Sequence, residues 1–345
     1  MGTEMIDDKR LQQAYDRHGF YSLQLEVGDV CHQGCVYCYM NALETPANTL
    51  SDEDVRVILH DAVALDMTAI EWLGGEPLLR ESIFGHMAVA ADLGLRNNVW
   101  TGGLPLADPD VRRSVVDHAR HGLISVHVST VDPGVYRKLH PAADPANLHR
   151  VLGSVQAVVD MDYPTDQMLN SVTFTGLQTA EDMIRTIDTF EERWGIRTSL
   201  NVYHTYLRPG SDPGALERFI PDPEAVRRVY ERYARQWGVD EFPMNCVDKR
   251  YCSATFAVLC DGSVTPCATV REPGAPSIHG RRRLAEIVTE NRDHLSIEEL
   301  RNPASLPPGC RACRMNDACF GCRSRAYAAG RGLYGRDPRC YGPRT

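Results

Sequence analysis

Three cysteines stand close together near the start of the chain, in the run Cys31-His32-Gln33-Gly34-Cys35-Val36-Tyr37-Cys38. Thiolates are the usual ligands of iron–sulfur clusters, and three of them can hold three irons of a [4Fe–4S] cluster while the fourth iron stays open. An open iron is what a cofactor needs in order to bind and react there. Zinc is the rival ligand, but it wants a fourth protein donor, and His32 is poorly spaced to supply one. Further on, Gly74-Gly75-Glu76-Pro77 joins two glycines, which let backbone groups approach a ligand closely, to a carboxylate able to take a charged amino group. Turn chemistry alone makes the same four residues a plain turn.

Nine of the twelve cysteines fall between 246 and 340. The opening residues are charged and polar, unlike a secretory signal, and the first half of the chain is poor in cysteine. Reduced thiols in clusters are more often metal ligands than disulfides. CxxC pairs suit zinc as well as iron, so two four-cysteine zinc sites compete with two clusters here.

The whole chain has 345 residues, with 46 acidic against 37 basic side chains and a net charge of −9. That balance argues against a nucleic-acid or anionic-membrane partner. No window offers the roughly 20 apolar residues of a membrane span, and a cytoplasmic protein is expected.

The residues that could do chemistry need a frame. Between Tyr21 and Trp237 short apolar runs alternate with amphipathic stretches, the pattern of repeated βα units. Strands are predicted at 21–27, 68–73, 98–101, 123–129, 170–175 and 198–203. Ser51 with Asp54 starts a capped helix over 52–66, and Thr179 starts one through 193. Six strands separated by helices imply a parallel α/β sheet, whose sites form at the carboxyl ends of strands. The divisions read as an N-terminal extension (1–20), a core (21–237) and a cysteine-rich domain (242–345). In that last domain apolar periodicity fades and metal binding can supply stability.

CxxxCxxC after the first strand, followed by GGEP at the end of the second, resembles the radical S-adenosylmethionine (SAM) enzymes. The resemblance implies a partial (β/α)6 TIM-like barrel with SAM and a [4Fe–4S] cluster on Cys31, Cys35 and Cys38. It implies that Gly74, Gly75, Glu76 and Pro77 grip the amino group of SAM and that Tyr37 lies near adenine. Thr101 stands where many members carry Thr-Asn-Gly, the Asn being absent here. Ser129 closes the fourth strand, where ribose or methionine is often contacted; Asn170 and Arg208 are further carry-overs. For Ser129 and Asn170 the alternative is that they only satisfy backbone groups.

The C-terminal cysteines resemble the SPASM module. By position, Cys246, Cys252, Cys267 and Cys322 would hold one auxiliary [4Fe–4S] cluster, and Cys310, Cys313, Cys319 and Cys340 a second, three clusters in all. The last spacing within the block is x2 where that family usually has x3. Cys260 is left over, read either as a small buried residue or as a hydrogen-atom donor beside the substrate.

The mechanism so implied is cleavage of SAM to a 5′-deoxyadenosyl radical that abstracts a hydrogen atom from a substrate C–H bond. A flavodoxin or ferredoxin-type reductant is implied as partner. Sulfatase maturation is disfavoured, because Ala268 stands where those enzymes carry an Asp base; Asp132, Glu76, His127 and His204 are the other strand-end groups. Only 30 residues precede Cys31, too few for a leader-binding domain, so the expected substrate is a small molecule of sugar or aminocyclitol type, oxidised or epimerised. A peptide-modifying maturase is the alternative, and a non-catalytic cluster carrier is the alternative from another class.

Overall fold

The computed structural model describes residues 6–42, 48–203, 216–280 and 282–340. Eight strands form one sheet in the order β6-β5-β4-β3-β2-β1-β7-β8. In chain order these are β1 (Ser22–Glu26), β2 (Ala69–Leu73), β3 (Arg96–Thr101), β4 (Leu123–His127), β5 (Met168–Phe174), β6 (Arg197–Val202), β7 (Thr255–Val258) and β8 (Val264–Thr265). The first six run parallel to their neighbours, as expected for βα units. The architecture is the expected α/β partial barrel, with the carboxyl ends of six parallel strands along one rim.

The helices are α1 (Asp8–Asp16), α2 (Asp52–Ala64), α3 (Ile83–Asp92), α4 (Pro109–His118), α5 (Pro133–Leu139), α6 (Asn147–Val159), α7 (Ala180–Trp194), α8 (Pro223–Gln236), α9 (Lys249–Ser253) and α10 (Leu284–Glu290). The cap of α2 is the expected one: the Ser51 side chain accepts from the Asp54 N–H while the Asp54 carboxylate accepts from Ser51, satisfying donors the first turn leaves orphaned. Thr179 caps α7 in the same way, and Gly195 ends it in the left-handed region.

Strand alternation divides the core from the site. Leu23 and Leu25 of β1, Ile70 and Trp72 of β2, and Val99 of β3 join the main apolar cluster under the helices. Several of their alternates, Ser22, Gln24, Glu26, Glu71 and Asn98, are polar. Glu71 is the centre of the inner layer, accepting from Ser22 (2.8 Å), Asn98 (2.7 Å), Trp100 (2.6 Å) and Tyr251 (2.8 Å). A carboxylate this buried persists because four donors replace its water.

The cysteine-rich half is less separate than its composition suggests. Its strand β7 pairs in parallel with β1, with Ser22 opposite Thr255 and Leu25 opposite Val258, and β8 turns back along β7. Leu284, Ile287 and Val288 of α10, with Leu295 beyond it, belong to the main apolar cluster, and Arg283 pairs with buried Asp61 of α2. Farther on, Ile297, Leu300, Leu306 and Phe320 form a small core against which Cys252 and Cys310 both pack. The module thus has apolar burial of its own, apart from any metal it would bind. Among the described residues no helix is long and apolar enough to cross a membrane.

Candidate active site

The loop from Val27 to Tyr39 leaves the carboxyl end of β1, and backbone bonds hold it against the end of β2. Gly75 N–H donates to Gly28 C=O (2.9 Å) and Glu76 N–H to Val30 C=O (2.8 Å). The glycines of GGEP make this approach possible. A Cβ on Gly74 would stand 2.5 Å from the Gly28 oxygen, and one on Gly75 would stand 2.4 Å from the Val30 oxygen; Gly74 also sits at φ +145°. Their first task is therefore to dock the GGEP turn on the cysteine loop.

Cys31, Cys35 and Cys38 come together there, each partly exposed. Burial pushes the Cys31 thiol up to about 11 and Cys35 well above its ordinary value, and the neighbouring thiols add to both. Such a set gains from a cation that takes all three as thiolates.

Glu76 is 5% exposed. One carboxylate oxygen accepts from the Thr101 hydroxyl (2.9 Å) and the Gly102 N–H (2.7 Å), and the other from the Leu78 N–H (3.2 Å). No cation pairs with it among the described residues, and burial pushes it up to about 7. A buried carboxylate with donors but no counter-charge fits an incoming ammonium group. Pro77 follows it as the first residue of a 3-10 turn, Pro77–Leu79.

Tyr37 is buried, its hydroxyl bonded to His140 (3.2 Å) and its ring stacked on His127 at 5.3 Å. His127 reaches the Ser129 hydroxyl (3.0 Å), which also accepts from Thr173 N–H (3.0 Å). Asn170 spends both ends of its amide on the Val128 backbone, at 3.1 Å each. Ser129 and Asn170 thus bind β4 to β5. Burial holds His127 and His140 down at about 4, neutral at physiological pH. Asp132 caps α5 and pairs with Arg185, an arrangement that holds the helix start. Arg208 and His204 lie outside the described residues.

Sequence reasoning missed Gln33 and α5. The Gln33 amide donates to Gly102 C=O (2.7 Å) and accepts from the Tyr136 hydroxyl (2.9 Å), so one side chain joins the cysteine loop to β3 and α5. Val36 N–H adds a bond to Leu139 C=O (2.9 Å). These partners are 69 and 103 residues away, and no local pattern announces them.

All twelve cysteines are free thiols. In the C-terminal module, burial raises Cys252 and Cys246, and each is raised further by the charges of Cys267 and Cys322. Cys310 and Cys319 are both raised by burial and by Cys340, and Cys313 bonds back to Cys310 C=O within one turn. The thiols therefore fall into two groups, interleaved along the chain. Among the described residues no three of His, Cys, Asp and Glu converge as ligands of one metal ion.

Cys260 follows β7, 3% exposed, with its N–H on Glu26 (3.1 Å). Arg271 bonds the other Glu26 oxygen (2.7 Å) and lies over the Tyr39 ring. Burial, then the Glu26 charge, raises the Cys260 thiol to about 12, which keeps it as S–H.

A parallel partial barrel with three thiols and a buried carboxylate at its carboxyl-end rim defines a SAM-cleaving iron–sulfur fold. No protein-family model matches the chain. It is 24% identical over 266 residues to a probable GTP 3′,8-cyclase of Methanosarcina mazei, covering 72% of this chain and 78% of that one. To the PqqA peptide cyclase of Streptomyces rochei it is 25% identical over 341 residues, covering 92% and 88%. Among solved structures, Streptococcus suis SuiB bound to S-adenosylmethionine superposes with a TM-score of 0.66 at 16% identity, covering 97% of this chain and 81% of SuiB. The chain is a radical SAM protein with a cysteine-rich, SPASM-type C-terminus.

Proposed function

We propose that this enzyme abstracts a hydrogen atom from a C–H bond of a peptide substrate and completes a two-electron oxidation there, as a crosslink or an oxidised residue. The observation that carries the reading is the orphan charge of Glu76 beside three convergent thiols. Cys31, Cys35 and Cys38 would hold one four-iron cluster; Cys246, Cys252, Cys267 and Cys322 a second; Cys310, Cys313, Cys319 and Cys340 a third. Bound together with SAM, these groups supply a 5′-deoxyadenosyl radical at the barrel rim and one-electron acceptors in the module.

The chain's own residues orient and protect. Glu76 takes the ammonium of SAM while Thr101 and Gly102 fix its carboxylate. Tyr37, braced by His127 and His140, offers a rigid aromatic wall for adenine. The apolar cluster of Tyr37, Leu139, Tyr203 and Phe219 keeps water from the cysteine loop.

The peptide reading is supported by likeness over nine-tenths of the chain to a peptide cyclase and by SuiB, also solved bound to its precursor peptide SuiA. The small-molecule reading is supported by relatives named GTP 3′,8-cyclase and, over 90% of the chain, AdoMet-dependent heme synthase, neither of which is named for a sugar or aminocyclitol. A second reading, epimerisation, is favoured by the protonated, buried thiol of Cys260.

One set of anaerobic measurements tests these readings. Reconstituted protein should carry about twelve irons and release 5′-deoxyadenosine. Zinc in place of eight of those irons would remove the auxiliary clusters from the account, and absence of SAM cleavage would leave only a cluster carrier. Turnover in D2O separates the reactions. Solvent deuterium at an inverted carbon, lost in Cys260→Ala, means epimerisation; normal turnover of Cys260→Ala removes that residue from catalysis.

A further inference from the structure

The charge of this chain is unevenly placed. Residues 306–345 contain eight arginines, no lysine, and only Asp317 and Asp337 as acids. That is a surplus of six positive charges in a chain of net charge −9, so the remainder carries −15. Two of the arginines are structural: Arg325 is buried against Asp337, and Arg323 is buried on main-chain carbonyls. Arg314 pairs with Glu241.

Of the other five, four lie among the described residues and border the second cysteine group in sequence or in space. Arg311, Arg331 and Arg336 are exposed and Arg339 is half-exposed. Among the described residues no carboxylate side chain forms an ion pair with any of them; Arg311 reaches only Leu306 C=O and Arg331 only Arg336 C=O. The Arg336 guanidinium packs on Gly309 beside Cys310. Cys310, Cys313, Cys319 and Cys340 are each partly exposed, whereas Cys322 of the other group is buried.

We propose that this face is the docking surface for a small acidic one-electron carrier protein of flavodoxin or ferredoxin type, a reading that rests on the second cysteine group holding an iron–sulfur cluster. Transient redox contacts bury little area and depend on complementary charge for their rate. Exposed guanidinium groups beside partly exposed ligands supply that charge where an electron has to cross. A long polyanion fits less well, because the rest of the surface would repel it. In the exchange the cluster, left one electron richer by the proposed oxidation, would give that electron to the oxidised carrier, with no atom transferred.

The test compares the anaerobically reconstituted full chain with its Arg311→Ser/Arg331→Ser/Arg336→Ser variant. Binding to an acidic bacterial flavodoxin is measured by calorimetry at about 50 and 300 mM salt, with iron content determined on the same samples. The expected result is a tenfold or greater loss of flavodoxin affinity at low salt and a weaker salt dependence. Iron content and dithionite-driven SAM cleavage should be unchanged. Unchanged flavodoxin affinity overturns the proposal, as does tighter binding of a double-stranded oligonucleotide than of flavodoxin by the parent chain. If the triple variant loads fewer irons, Arg331→Glu, on a fully surface residue, carries the same comparison. Zinc at the second cysteine group in the parent protein overturns the cluster reading instead, and the iron and zinc contents show which of the two has failed.

Discussion

Replacing Glu76 by Gln should move stability and cofactor affinity in opposite directions. Burial without a counter-charge pushes the Glu76 carboxyl up to about 7 from an ordinary 4.5. A carboxyl whose folded value is raised holds its proton longer in the folded state, so stability is fully present below the unfolded value and is lost as pH rises through the folded one. The shift of about 2.5 units corresponds to about 3 kcal/mol withdrawn from the SAM-free protein by pH 8. Gln removes that loss. Its amide oxygen can still accept from Thr101 and Gly102, while the long bond from Leu78 N–H (3.2 Å) is given up, costing about 1 kcal/mol. The SAM-free variant should therefore be about 2 kcal/mol more stable than the parent at pH 8 and no more stable at pH 4.5.

SAM binding should go the other way. A charge-assisted bond to the ammonium is worth about 1.5–3 kcal/mol, so the variant should bind roughly 10 to 150 times more weakly. The parent should also weaken about tenfold between pH 8 and pH 6 as the carboxyl takes up a proton, and the variant should show no such slope. Calorimetric SAM titration and urea unfolding of cluster-loaded protein at the two pH values measure both effects. A variant that binds SAM as tightly as the parent, or a parent whose affinity ignores pH, would refute the assignment of the ammonium to Glu76.

Three further perturbations follow from the same geometry. Gly75→Ala places a methyl 2.4 Å from the Val30 carbonyl oxygen, so we expect about 1–3 kcal/mol of destabilisation and a drop from about twelve to about eight irons; full iron loading would show that the loop tolerates the separation. Asp337→Ala leaves Arg325 charged and 2% exposed, and takes acceptors from the Cys322 and Arg339 N–H groups. Urea unfolding should show a loss of about 3–5 kcal/mol, and a loss under about 1 kcal/mol would mean that water replaces the aspartate. Tyr251→Phe removes one of four donors to Glu71, so the loss should stay near 1 kcal/mol, with SAM affinity unchanged; weakened SAM binding would reveal coupling from the inner layer to the rim.

The legible parts of this protein were those written locally. Apolar runs and their intervening helices placed all six core strands, and the Ser51–Asp54 pair announced the start of α2. GGEP was legible as a unit, but its glycines looked like ligand-facing residues and proved to face Gly28 and Val30. Gln33 gave no signal, because its value lies in reaching Gly102 and Tyr136 across the fold. Thr255–Val258 was not among the predicted strands; its parallel partner β1 lies more than 200 residues earlier, a pairing no periodicity encodes. The fading apolar pattern after 242 was equally deceptive, since Leu284, Ile287, Val288 and Leu295 bury themselves in a core supplied mostly by the barrel.

That parallel seam between β1 and β7 makes the cysteine-rich half a poor cassette. A module hung on a linker could be exchanged between enzymes or allowed to swing; this one is laced to the barrel by ladder hydrogen bonds. Cys260, in the turn between β7 and β8, and Cys267, just after β8, ride on the same sheet whose first strand leads into the Cys31 loop, so the spacing of the two halves would be fixed by strand pairing and not by a linker. A chain cut before β7 would bare the edge of β1, a row of unpaired amides beside an apolar core, and such an edge recruits other strands. The reach of the auxiliary groups is thus a property of the sheet, and transplanting them to another barrel would mean transplanting its first strand as well.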